Sequence, residues 1–111
     1  MTIKSMSVNG ILVVQINEKR ATLEVSGEFK EELLKKIENG NVKVIVDLSQ
    51  SEFVDSSFLG SLVSGLKRAT MKNGDLKIVG LQPTVRAMFE LTRLYRIFDV
   101  FETQAEAIKS F

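Results

Sequence analysis

Apolar positions in this chain alternate between short strand-like runs and stripes at helical spacing. Ile11-Leu-Val-Val-Gln-Ile-Asn17 and Ala21-Thr-Leu-Glu-Val25 are short, β-branched and bounded by polar turn residues. They predict two strands joined through Asn17-Glu-Lys-Arg20 as an antiparallel hairpin. Asn9-Gly10 is a two-residue hairpin signal and offers residues 3–8 as a further strand. Phe29, Leu33, Leu34 and Ile37 then recur at helical spacing across 29–38, and Asn39-Gly40 supplies a left-handed stop. Residues 42–48 form a near-continuous apolar run, as expected of a strand covered on both faces at the centre of a mixed sheet.

A second helix is predicted from near Ser57, with Phe58, Leu59, Leu62, Val63, Leu66 and Ala69 inward and Asn73-Gly74 at its end. Gly60 and Gly65 each weaken it by about 1 kcal/mol relative to alanine if exposed, and are expected to let the helix lie close on the sheet. Residues 76–79 read as a strand ending at Gly80. Pro83 fits the first turn of a helix through Val85, Met88, Phe89 and Thr92. A short strand is expected near 97–101. Thr103-Gln-Ala-Glu106 is a capping box that opens a last short helix, with Ala107, Ile108 and Phe111 facing inward. The whole predicts an α/β fold, one domain over 1–111, with a mixed central sheet of four to five strands and about four helices packed against it.

Composition narrows the chemistry. A net charge of +1 gives no electrostatic case for nucleic acid or an anionic membrane, and the cations recurring at 67–72 and 86–96 read as the wet sides of helices. The chain has no cysteine and no histidine, which removes thiol chemistry, disulfides, the commonest general base and the commonest transition-metal ligand. Neither Gly-x-x-x-x-Gly-Lys-Ser/Thr nor Gly-x-Gly-x-x-Gly, the glycine-rich phosphate-binding patterns, occurs. Asp47, Glu52 and Asp55 near one strand end do not compose a convincing octahedral oxygen site. The expectation is therefore a protein that is no enzyme and carries neither cofactor nor metal. No apolar run approaches 18 residues and no signal-peptide order opens the chain, so a cytoplasmic location is expected.

The most informative segment is Val54-Asp-Ser-Ser-Phe-Leu-Gly60, between the central strand and the second helix. A serine there is a favoured helix cap, worth about 1 kcal/mol. It also lies at the positive end of a helix dipole, where unpaired N–H groups can meet an anion. That setting suits a regulatory phosphate on Ser56, with Ser57 as second candidate. Asp55 reads either as a cap or turn residue or as an acceptor that orients Ser56. Phe58 matches the inward spacing of Leu62 and Ala69, or else stands exposed as an interface anchor. Glu28 and Lys30 read as a partner-facing edge or as solvated charges.

The order of elements, with Val44-Ile-Val-Asp-Leu-Ser49, Phe53-Val-Asp-Ser-Ser-Phe-Leu-Gly60 and Arg86-Ala-Met-Phe-Glu-Leu-Thr-Arg-Leu94, resembles the STAS domain of bacterial anti-sigma factor antagonists. The likeness covers the chain from about residue 11. It implies a switch protein that, unphosphorylated, binds an anti-sigma factor which is itself a serine kinase. Phosphorylation of the serine directly after the aspartate ends that binding and so regulates transcription, and a PP2C-type phosphatase resets it. By position the acceptor is Ser56, and Asp55, Ser56, Ser57, Phe58, Glu28 and Lys30 are the implied partner-binding residues.

The chain also departs from the family pattern. Phe58 stands where the family usually has glycine. Gly27-Glu-Phe-Lys30 resembles the family's Gly-Glu-Leu-Asp with lysine for aspartate, and the short stretch after it predicts a clipped first helix. A bulky ring beside the serine motivates an alternative: a non-phosphorylated STAS scaffold subunit in a signalling or lipid-transport complex.

Overall fold

In the computed structural model, which describes residues 3–111, Asn9 and Gly10 both adopt positive φ, 52° and 79°. That left-handed pair is what a two-residue hairpin turn requires. It folds β1 (Ile3–Val8) antiparallel onto β2 (Ile11–Ile16). The predicted second hairpin does not form. Only Arg20–Ala21 forms a strand (β3), and Thr22 is the N-cap of α1, which runs over Leu23–Glu38.

The alternation in 21–25 was misleading, because Val25, Ser26, Phe29, Leu33 and Ile37 make one continuous buried stripe. Packing of that stripe outweighs the local β-branched preference. The first helix is thus 16 residues long rather than clipped, and Gly27-Glu-Phe-Lys30 lies inside it instead of at its entry.

Asn39 and Gly40 stop α1 as expected, with Gly40 at φ 103°. The apolar run becomes β4 (Lys43–Asp47), followed by the two-residue β5 (Phe53–Val54) and α2 (Ser56–Met71). Then come β6 (Asp75–Val79), α3 (Pro83–Leu91), a 3-10 turn at Leu94–Arg96, β7 (Val100–Phe101) and α4 (Gln104–Lys109). The last helix opens with both halves of the expected capping box, from Thr103 to Glu106. Among the described residues no helix is long and apolar enough to cross a membrane.

The main sheet has the order β1-β2-β4-β6-β7, with β4 central and every pairing parallel except β1–β2. β3 and β5 form a separate parallel pair, and the guanidinium of Arg20 lies 4.5 Å above the Phe53 ring. This gives the expected mixed sheet of five strands with four helices. Strand alternation sends Leu12, Val14, Val44, Val46, Leu76 and Ile78 into the core beneath α1, α2 and α3. Ile11, Val13, Ile45 and Val79 face the other way, under Ala107, Ile108 and Phe111 of the C-terminal segment.

Of the two glycines in α2, Gly65 is the one the packing needs. A Cβ there would fall 2.4 Å from Leu33 Cδ2 and 3.0 Å from Leu76 Cδ1, whereas one at Gly60 would meet open space.

Candidate functional site

Two short elements fix the turn ahead of α2. Pairing of Phe53 and Val54 with Arg20 and Ala21 brings the start of α2 against the start of α1. Asp55 then sits at the junction of both helices. It is the N-cap of α2, at φ −110° and ψ 177°. Its Oδ1 accepts from the Phe58 N–H at 3.0 Å and the Ser57 hydroxyl at 2.7 Å. Its Oδ2 accepts from the Leu23 N–H at 2.9 Å, the first helical residue of α1. Thr22, the N-cap of α1, makes no side-chain cap of its own, so an orphan amide of α1 is satisfied by a carboxylate 32 positions away.

Partial burial pushes the Asp55 carboxyl upward. Hydrogen bonds from the Ser57 hydroxyl and from the N–H groups of Phe58, Leu23 and Ser57 outweigh that and hold its pKa below the ordinary aspartate value. The carboxylate is therefore charged at neutral pH.

The two serines are not equivalent. Ser57 is half-buried, its hydroxyl donating to Asp55 and lying 3.4 Å from the Ser26 hydroxyl of α1. Ser56 is the first residue of α2 and is exposed. The cap is thus Asp55 rather than a serine, and the hydroxyl that Asp55 holds belongs to Ser57, not Ser56. An anion on Ser56 would sit at the positive end of a 16-residue helix.

Phe58 does not stand beside Ser56 as an exposed anchor. Its ring is fully buried and stacks on Phe29 of α1, with centroids 4.9 Å apart and planes at 26°. The expectation of partner contact through Phe58 is corrected by this packing: the ring fills space between α1 and α2. Glu28 and Lys30 are both exposed on α1. Lys30 lines a groove with Ser64, Lys67 and Met71, residues that lie about 12–22 Å along α2 from Ser56 at 1.5 Å per residue. The structure brings Asp55, Ser56 and Ser57 together and places Lys30 elsewhere.

Asp47 accepts from the Ser49 N–H at 2.8 Å and the Gln104 amide at 2.7 Å, so it ties the end of β4 to α4. The strand-like reading of 21–25 passed over two residues that adjoin the site, Leu23 and Ser26. Both fell in or beside the stretch read as a strand. Ser26 Oγ also donates to the Leu23 carbonyl, and Ser61 Oγ to the Ser26 carbonyl. Their one available signal was that Ser26 stands three positions before Phe29 on the same helical stripe.

Comparison with known proteins agrees with this architecture. A Thermotoga maritima protein, a candidate anti-sigma factor antagonist, is 29% identical over 99 residues, covering 88% of each chain. A crystal structure of a candidate antagonist from the same organism superposes with a TM-score of 0.88 at 26% identity, over 97% of this chain and 92% of that one. The anti-sigma factor antagonist SpoIIAA in its unphosphorylated form shares the fold at TM-score 0.85 and 19% identity, over 97% and 94% of the two chains. The STAS domain profile matches residues 3–107, and with that match over nearly its whole length the chain belongs to the STAS domain family.

Proposed function

We propose that this protein is an anti-sigma factor antagonist whose binding is controlled by phosphorylation of Ser56. Unphosphorylated, it captures an anti-sigma factor that is a serine kinase; the kinase transfers phosphate to Ser56 and the complex parts, and a PP2C-type phosphatase restores the binding form. The observation that carries this reading is the division of labour between neighbouring serines. Ser57 is held by Asp55 and packed toward Ser26, while Ser56 is exposed at the head of α2.

The physics of the switch is local. Phosphate adds about −1.5 to −2 charges at neutral pH, which the N-terminus of α2 tolerates in the free protein. A partner seated flush on the turn must bury or face that charge. A loss of about 3 kcal/mol weakens binding more than a hundredfold, and desolvating an unpaired phosphate reaches that size. No refolding is needed. The scaffold alternative drew its support from a bulky ring beside the serine. Because the Phe58 ring is buried against Phe29, that support falls away.

The test is incubation with the anti-sigma kinase and ATP, followed by mass spectrometry, and capture of the same kinase by Ser56→Asp. One phosphate on Ser56 and loss of capture are expected. Tight capture by Ser56→Asp rejects the charge mechanism.

A further inference from the structure

The α1–α2 seam extends well past Ser56. Leu23, Gly27, Lys30 and Leu34 fall on one stripe of α1 by the 3.6-residue repeat, and Gly60, Ser64, Lys67 and Met71 on one stripe of α2; Lys30 and Leu34 line a common groove with Ser64, Lys67 and Met71. At the end remote from Ser56 the seam opens into a groove of about 290 Å³ whose walls include Lys30, Leu34, Ser64, Lys67, Arg68 and Met71. Two large apolar side chains stand in water at opposite ends, Leu23 at 72% and Met71 at 78% exposed. Between them, positions 27 and 60 carry no side chain, and nothing lies within 4 Å of where a Cβ would project.

Charge gives the seam a polarity. Arg68 is engaged by Glu38, which Lys72 also approaches at 3.6 Å. Among the described residues that leaves Lys30 and Lys67, one on each wall of the groove, to meet an incoming group. From Ser56 to Met71 the helix spans about 22 Å, enough for roughly four turns of a helix laid alongside.

We propose that this seam receives an acidic amphipathic helix of the anti-sigma factor, its apolar side covering Leu23, Leu34 and Met71 and its carboxylates meeting Lys30 and Lys67. Helices seated in grooves by spaced apolar anchors are a recurring mode of recognition, and steering by complementary charge speeds encounter. The inference rests on the reading of the protein as an antagonist. It supplies the body of an interface of which Ser56 is the controlled end.

The experiment measures capture of the purified anti-sigma factor by wild type, Ser56→Asp, Met71→Glu, the pair Lys30→Glu/Lys67→Glu, and Lys4→Glu as a net-charge control on β1. The seam variants are expected to bind at least tenfold more weakly, with the double-lysine variant also losing most of the salt dependence, while Lys4→Glu binds as wild type. Each variant's melting temperature verifies folding, since all the changed side chains are at the surface. Unchanged affinity in the seam variants, with capture abolished by Ser56→Asp, overturns the inference and leaves the proposed function standing. Wild type that captures no anti-sigma factor rejects both. A wild-type dimer in size exclusion that Met71→Glu dissociates would assign the seam to a second copy of this chain, and also overturns it.

Discussion

Asp55 and Leu23, 32 residues apart in sequence, are joined by a 2.9 Å hydrogen bond from the Leu23 N–H to the Asp55 carboxylate. The same carboxylate caps α2 through the Phe58 N–H. One side chain thus closes the exposed ends of the two helices whose junction carries the candidate acceptor. Burial of Phe29 against Phe58 behind it makes the junction a fixed platform.

Loss of that carboxylate removes two caps together. A single cap is worth about 0.5–2 kcal/mol, so Asp55→Ala is expected to destabilise the protein by about 2 kcal/mol. Urea unfolding should show a lower midpoint with an unchanged slope. A change under about 0.5 kcal/mol would mean that the double cap contributes little.

The pH dependence follows from the lowered pKa of Asp55. Its folded value lies below its unfolded value of about 3.9. The unfolded chain therefore takes up the proton first as acid is added, and stability falls with falling pH. The contribution is fully present above the unfolded value and is lost as pH drops through the folded one. Denaturant titrations at pH 7 and at pH 2.5 should show a larger drop for wild type than for Asp55→Asn. Equal drops would remove Asp55 as a source of acid sensitivity.

Ser56 and Ser57 should separate chemistry from structure. Ser56→Ala is expected to abolish phosphate transfer from the kinase with stability changed by less than about 0.5 kcal/mol, as for other exposed positions. Ser57→Ala should retain transfer but lose about 1 kcal/mol with its bond to Asp55. Transfer that survives in Ser56→Ala and vanishes in Ser57→Ala would reverse the assignment.

Phe58→Ala tests the correction at that position. Removing a fully buried, stacked ring should cost about 3–5 kcal/mol, read as a shift of the urea midpoint. A near-neutral result would show that the ring is not part of the core. Gly65→Ala should likewise cost about 1–3 kcal/mol by crowding Leu33 and Leu76. Leu33→Val in the same chain should recover part of that loss in the unfolding curve.

Much of the fold was legible along the chain because its signals are local. The Asn9-Gly10 hairpin, the near-continuous apolar run around β4, the Asn39-Gly40 stop, Pro83 at the start of α3 and the Thr103–Glu106 box each depend on residues a few positions apart. So does the placement of Ser56 at a helix head. The start of α1 was not legible. Residues 21–25 satisfy strand alternation and helical spacing at once, and the contacts that select the helix come from α2 and the sheet. The amide of Leu23 finds its partner only when β3 and β5 lie side by side.

The sequence by itself thus determined the order of the longer strands and helices, the mixed sheet and the segment that presents a serine, since turn chemistry and periodicity act over a few residues. Tertiary structure alone decided which serine is free and which is held, that the aspartate caps two helices, and that the aromatic side chain lies inside. Those outcomes depend on groups far apart in the chain reaching hydrogen-bond or van der Waals distance, and no local pattern encodes that distance.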